Sequence, residues 1–254
     1  MSRIKRGIIL FFFLIIIYFY AFPANFKCEK RGKVGWGAGE IIKSFLGYYG
    51  INVSEKEVMK AIKEEGSVPV YKIIRFLREK GIKTMSFRGN IKKLNSFIDN
   101  SMAVVVVQWA SEKLKKRYLR VVVKRKSEIY YLCEPSVGKL VKFKKDRLMN
   151  LWKGGDYWGL IILKDAVSIK KDDYYWRDEG YLRILKGDYE NAKVFFEKAL
   201  RIKEDSSYRR AVDCINKKDT KCLKGILKDS LHIEPLNKKE ENDFITSFFV
   251  SLFI

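Results

Sequence analysis

The sequence predicts an α+β domain followed by a smaller, wholly helical region. Two observations carry this. Apolar residues run at helical spacing from Gly37 to about Ile98, then change to strand-like runs from Ala103 to Leu163. From Asp172 onward the helical period returns. Helices followed by strands, rather than alternating with them, are the order of an α+β fold with an antiparallel sheet.

The first elements are helices. Between Gly37 and Tyr49 the residues Ile41, Ile42, Phe45, Leu46 and Tyr49 share one face, and Gly50 supplies a C-terminal stop. Ser54 with Glu57 forms a capping-box pattern opening a second helix through Ile62. A third helix spans Val70 to Lys80 and stops at Gly81. A short strand at Lys83 to Phe87 and a helix at Ile91 to Ile98 come next.

The strands follow. They are predicted at Ala103 to Trp109, Tyr118 to Lys124, Glu128 to Leu132, Leu140 to Phe143 and Trp158 to Leu163, with a short helix at Arg147 to Trp152. These elements delimit a domain over 30–164. The region 172–254 reads as helices at Tyr174 to Lys186, Asn191 to Ile202, Ser207 to Asn216 and Thr220 to Leu231. Its tail, Phe244 to Ile254, is apolar but too short to span a bilayer.

The N-terminus predicts export. Arg3, Lys5 and Arg6 precede an uncharged apolar run from Ile8 to Phe22, so 1–24 reads as a membrane anchor or signal segment. A single-pass protein with a cytoplasmic N-terminus and an extracytoplasmic main domain is the first expectation. Cleavage of the segment, or lipidation at Cys28, remains open.

Composition narrows the function classes. Hydrophobic residues at 47% support a packed core, and charged residues at 32% argue against long disordered tracts. The net charge of +22 is spread along the chain, which reads as a solvated surface before it reads as a polyanion site. Anionic lipid or an envelope polymer is therefore a candidate partner, and nucleic acid is not. The four cysteines show no CxxC pair, so no metal site is expected, and no cofactor is implied. Cys214 and Cys222 are close enough in sequence to form a disulfide in an oxidising compartment, though two ordinary buried cysteines fit as well.

From Gly35 to Lys164, the ordered segments GWGAGEIIKSFLGYYG, VSEKEVMKAI, VPVYKIIRFLREKGIK, LNSFIDNSMAVVVVQW, RYLRVVV, YYLCEPSVGKLVKF and WGLIIL resemble the papain-like, bacteriocin-processing cysteine peptidases, whose relatives cut double-glycine leader peptides. The resemblance implies a nucleophilic Cys opening the first helix, a general-base His at the start of the RYLRVVV strand and an orienting Asp before a Pro. Those positions are expected to hold Gly37, Arg117 and Glu134. The glutamine that helps form the oxyanion hole would fall near Arg31 and Lys33.

Glycine offers no nucleophile, and arginine keeps its proton at physiological pH and cannot act as the base. The single histidine, His232, lies far along the chain. The leading expectation is thus a noncatalytic peptide- or protein-binding module, its cleft marked by Trp36, Arg117 and Glu134, with Arg117 and Glu134 pairing across it. The alternative is a peptidase built on Cys28 or Cys133. Downstream, KGDYENAKVFFEKALRIKED resembles a tetratricopeptide repeat, with Tyr189 and Phe196 expected to pack within it.

Overall fold

The computed structural model describes residues 26–30, 37–64, 66–163, 169–237, 239–240 and 242–243. The predicted anchor segment 1–24 and the apolar tail 244–254 lie outside these residues. Among the described residues, no helix is long and apolar enough to cross a membrane.

Three helices come first: α1 (Ala38–Tyr48), α2 (Glu55–Ile62) and α3 (Val70–Glu79). Ser54 caps α2 as its spacing predicts, its hydroxyl accepting from the Glu57 amide at 3.1 Å. The strand β1 (Val68–Pro69) leads directly into α3. Next come β2 (Thr84–Arg88), α4 (Ile91–Asp99), β3 (Val104–Trp109), β4 (Arg117–Lys126), β5 (Ile129–Glu134), β6 (Lys139–Lys144), α5 (Lys145–Trp152), a 3-10 turn (Lys153–Gly155) and β7 (Trp158–Ile162). The six longer strands form one sheet in the order β2-β7-β3-β4-β5-β6, with every neighbouring pair antiparallel.

Strand alternation explains how the sheet is covered on both faces. Val105, Val107, Leu119, Val121 and Leu160 pack with Ile41, Phe45, Ile73 and Leu77 of the first helices. Val104, Val106, Val122 and Leu132 point the other way, into Leu94 and Phe97 of α4 and Leu148 and Trp152 of α5. This double cover is why β3 reads as an unbroken apolar run rather than as an alternation.

The helical region comprises α6 (Asp173–Leu185), α7 (Tyr189–Ile202), α8 (Ser206–Asn216) and α9 (Thr220–Lys228). The last helix was expected to reach Leu231 but stops at Lys228. The chain beyond it turns back as β8 (His232–Ile233), which pairs antiparallel with β1. The Leu231 carbonyl is consequently free to accept from the Val70 amide, at 3.0 Å.

Helix α6 packs directly on the α+β domain. The Trp158 indole donates to Asp178 at 3.0 Å, and Arg78 donates to both carboxylate oxygens of Glu179, one at 2.9 Å. Arg88 lies 3.9 Å from the centre of the Tyr174 ring. Gly180 lets α6 and α7 approach: a Cβ there would sit 2.7 Å from the Phe196 ring. Phe196 is fully buried as expected, whereas Tyr189, at the exposed start of α7, is 39% exposed and does not pack into the repeat.

Candidate functional site

The site forms where the start of α1 meets the beginning of β4 and the end of β5. Gly37 caps α1 in a left-handed conformation, with φ 65°. That backbone region costs an ordinary residue energy and suits glycine. A Cβ at Gly37 would point at Tyr118, coming within 3.0 Å of its hydroxyl oxygen and 3.4 Å of the Pro135 ring.

Tyr118 is fully buried and donates its hydroxyl to Glu134 Oε1 at 3.1 Å. Glu134 ends β5, immediately before Pro135, and is also fully buried. The Ser136 amide and hydroxyl donate to the same oxygen at 3.1 and 2.8 Å. The other oxygen, Oε2, accepts from Arg120 Nε at 2.7 Å. Arg120 is itself wholly buried, and its far nitrogen donates to the Ala110 carbonyl at 3.0 Å. Hydrogen bonds to all sides are what a carboxylate and a guanidinium need to tolerate removal from water.

The expected Arg117–Glu134 pair is therefore corrected in its first member. Arg117 turns away, its Nε donating to the Gly154 carbonyl at 3.3 Å, and Arg120 takes the ion pair. The position facing Gly37 and Glu134 belongs to Tyr118, one residue later than the resemblance suggested. Neighbouring residues on a strand point to opposite faces, so a shift of one residue exchanges the cleft-facing side chain. Register decides the matter: Tyr118 stands opposite Gln108 on β3, and Arg117 opposite Trp109. The sequence signal for this was available in the spacing of Tyr118 and Arg120, two apart and hence on one face. Trp36, Arg31 and Lys33 lie outside the described residues.

The cysteine alternative fares differently from its expectation. Cys28 and Cys133 are joined in a disulfide with their Cα atoms 5.3 Å apart, linking the segment before α1 to β5. Cys214 and Cys222 form a second disulfide, and no free cysteine remains among the described residues. A sulfur held in a disulfide has no thiolate to offer as a nucleophile. Neither Cys28 nor Cys133 can serve in this state. His232 is also committed elsewhere: Nδ1 lies 2.5 Å from the Ser67 hydroxyl, and Nε2 3.3 Å from the Leu227 carbonyl. No group of side chains among the described residues could hold a metal ion.

What Gly37, Tyr118 and Glu134 can do together is limited by their chemistry. Burial in a network leaves the phenol donating to a carboxylate already neutralised by arginine. Acyl transfer by a thiolate and an imidazole needs two groups that this cluster does not contain. The cluster does fix a sealed, hydrogen-bonded corner between α1, β4 and β5.

The family profile described as the Peptidase C39 family matches residues 41–157. Among solved structures, the peptidase domain of Streptococcus ComA, described as a bifunctional ABC transporter involved in quorum sensing, is 15% identical, with a TM-score of 0.48. That likeness covers 56% of this chain and 100% of that one. A putative C39-like peptidase from Bacillus anthracis is 13% identical with a TM-score of 0.49, over 56% of this chain and 96% of that one. A double glycine motif protease from an AMS/PCAT transporter, solved with a leader peptide, is 14% identical with a TM-score of 0.42, over 55% and 94% of the two chains. No curated protein matches the chain. The matched stretch begins at Ile41, just past Gly37, and residues 41–157 are similar to the peptidase C39 family, as the order of the segments predicted.

Proposed function

We propose that this protein is an extracytoplasmic, membrane-tethered binding module that uses a peptidase C39 domain to hold peptide rather than to cut it. The observation that carries the reading is the cluster of Gly37, Tyr118 and Glu134. In this reading it takes the place of a thiol, an imidazole and an orienting carboxylate, and the support for it is that Gly37 faces Tyr118 while Tyr118 donates to Glu134. Peptide is the natural ligand class for a domain of this family, and loss of the reacting groups leaves the walls of the cleft in place.

Two disulfides favour an oxidising compartment, consistent with export through the segment 1–24 as a single-pass anchor. In the proposed arrangement, 30–164 is the peptidase-like domain and 172–254 a tetratricopeptide-like region that offers a second protein-binding face.

A second reading is supported by a groove of 790 Å³ between α4 and the end of α7. Lys170, Lys171 and Arg201 line it beside a Lys93–Asp172 ion pair, a net positive lining that suits an anionic headgroup or envelope polymer beside the membrane.

Incubation of the purified protein, kept oxidised, with a double-glycine leader peptide tests the first reading. The expected result is a peptide retained by immobilised protein and intact by mass spectrometry. Cleavage that persists through repeated purification overturns it.

A further inference from the structure

The Tyr118 side of the site is covered by the protein itself. After α9 the chain crosses from the helical side of the domain to the sheet side, and its contacts run along both walls. On the helical side, His232 and Ile233 pair with Pro69 and Val68, and the His232 ring meets Ser67. On the sheet side, the Glu234 amide donates to the Arg117 carbonyl at 3.0 Å, and the Glu234 carboxylate lies 3.5 Å from the Arg117 amide. Lys116 donates to the Pro235 carbonyl at 3.3 Å and to Glu240 at 2.8 Å. Leu236 is only 3% exposed and packs against Tyr118 and Ala110, with Leu114 alongside. The side chain that Gly37 faces is thus capped by a leucine from a segment more than a hundred residues away in sequence.

These contacts are those of a bound peptide. An extended backbone adds to strands on either side, one apolar side chain is buried against Tyr118, a backbone amide meets one acidic group and Lys116 holds a second. We propose that residues 231–237 are an intramolecular strap in the peptide cleft. The partner that displaces it is an extended peptide with an acidic residue two positions before a leucine and a second acidic residue further on, the pattern of Glu234, Leu236 and Glu240. This deepens the peptide-binding reading and rests on it. A strap closed in most molecules lowers the apparent affinity for such a peptide by the fraction of time the cleft is open. Weakening the strap alone therefore strengthens binding in trans.

The test uses the full chain and a fluorescent synthetic peptide with the sequence of residues 230–240. In Leu236→Ala, hydrogen exchange at the Glu234 amide rises about tenfold and the peptide binds about tenfold more tightly than to wild type. Glu240→Gln, which weakens only the half-buried Lys116 contact just past the strap and keeps the fold if Leu236→Ala does not, moves both readouts the same way by about twofold. Adding Lys116→Glu to the opened variant weakens the peptide again. Unchanged exchange in both strap variants overturns the strap and leaves the peptide-binding reading standing on the leader-peptide assay. Raised exchange without tighter peptide binding overturns the proposed partner. If the opened variant also retains no leader peptide, the peptide-binding reading fails with it.

Discussion

Glu134 and Asp173 each collect one arginine and one tyrosine hydroxyl, yet the two carboxylates are set in different surroundings. Glu134 takes Arg120 at 2.7 Å and Tyr118 at 3.1 Å, and all three residues are 0% exposed. Asp173 takes Arg88 at 2.9 Å and Tyr208 at 3.0 Å, but the Arg88 side chain remains 22% exposed. Arg88 has other support, from Asp156 at 3.0 Å and from the face of Tyr174. Beside it lies a cavity of 140 Å³ bordered by Arg177, Tyr181 and Asp205. The first cluster belongs to a site sealed by protein, where every bond is needed because water cannot substitute. The second joins two parts of the molecule and has partners in reserve. Similar residues thus give a rigid, sealed cluster in one place and a tolerant interface in the other.

The sharpest test of this comparison is to remove each carboxylate in turn. Glu134→Ala strands a buried guanidinium and is expected to cost about 3–5 kcal/mol of unfolding free energy. Asp173→Ala leaves Arg88 with Asp156 and solvent, and is expected to cost about 1–3 kcal/mol. Urea unfolding of both variants measures the difference, and equal costs would break the comparison.

The disulfide next to Glu134 supplies the second test. Cys28 and Cys133 are 105 residues apart, so their link restricts a long loop in the unfolded chain. Replacing both by serine is expected to cost about 2–5 kcal/mol, read from the denaturant midpoint under oxidising conditions. The shorter Cys214–Cys222 link closes a separation of 8 residues, and removing it is expected to cost less.

The interface has a signature in alkali that sharpens the contrast further. Burial raises Tyr174 and Tyr208 well above the ordinary tyrosine value of 10 and pushes Tyr181 up to about 12. These folded-state values exceed the unfolded one, so the unfolded chain releases its phenolic protons first. The stability they contribute is whole below pH 10 and falls as the pH rises beyond it. The loss is roughly 1.4 kcal/mol per pH unit for each such tyrosine. Phenolate absorbance should appear together with unfolding above pH 10. Titration of these three groups within a protein that stays folded would show the interface to be wetter than its geometry indicates.

Much of the architecture was legible in the chain because it depends on periodicity. The apolar spacing of α1 to α3 and the runs of β3 and β7 set the helix-then-sheet order, and Ser54 capped α2 as its spacing to Glu57 required. The site was legible only in part. Gly37 and Glu134 were singled out by the resemblance, which ties one position to a helix start and the other to a following proline. Tyr118 was missed for Arg117 because alternation separates neighbouring residues without saying which one faces the cleft.

The sequence by itself determined the order of elements, the absence of a CxxC pair and of more than one histidine, and the closeness of Cys214 to Cys222. These are properties of residue type and short spacing. Only the tertiary structure decided that Arg120 neutralises Glu134, that Cys28 bonds Cys133 across 105 residues, and that His232 and Ile233 pair with β1 while Glu234 meets Arg117. Each depends on strand register or on contacts between distant segments. In the two-residue strands β1 and β8 especially, pairing follows from how the whole chain packs and leaves no periodic trace to read.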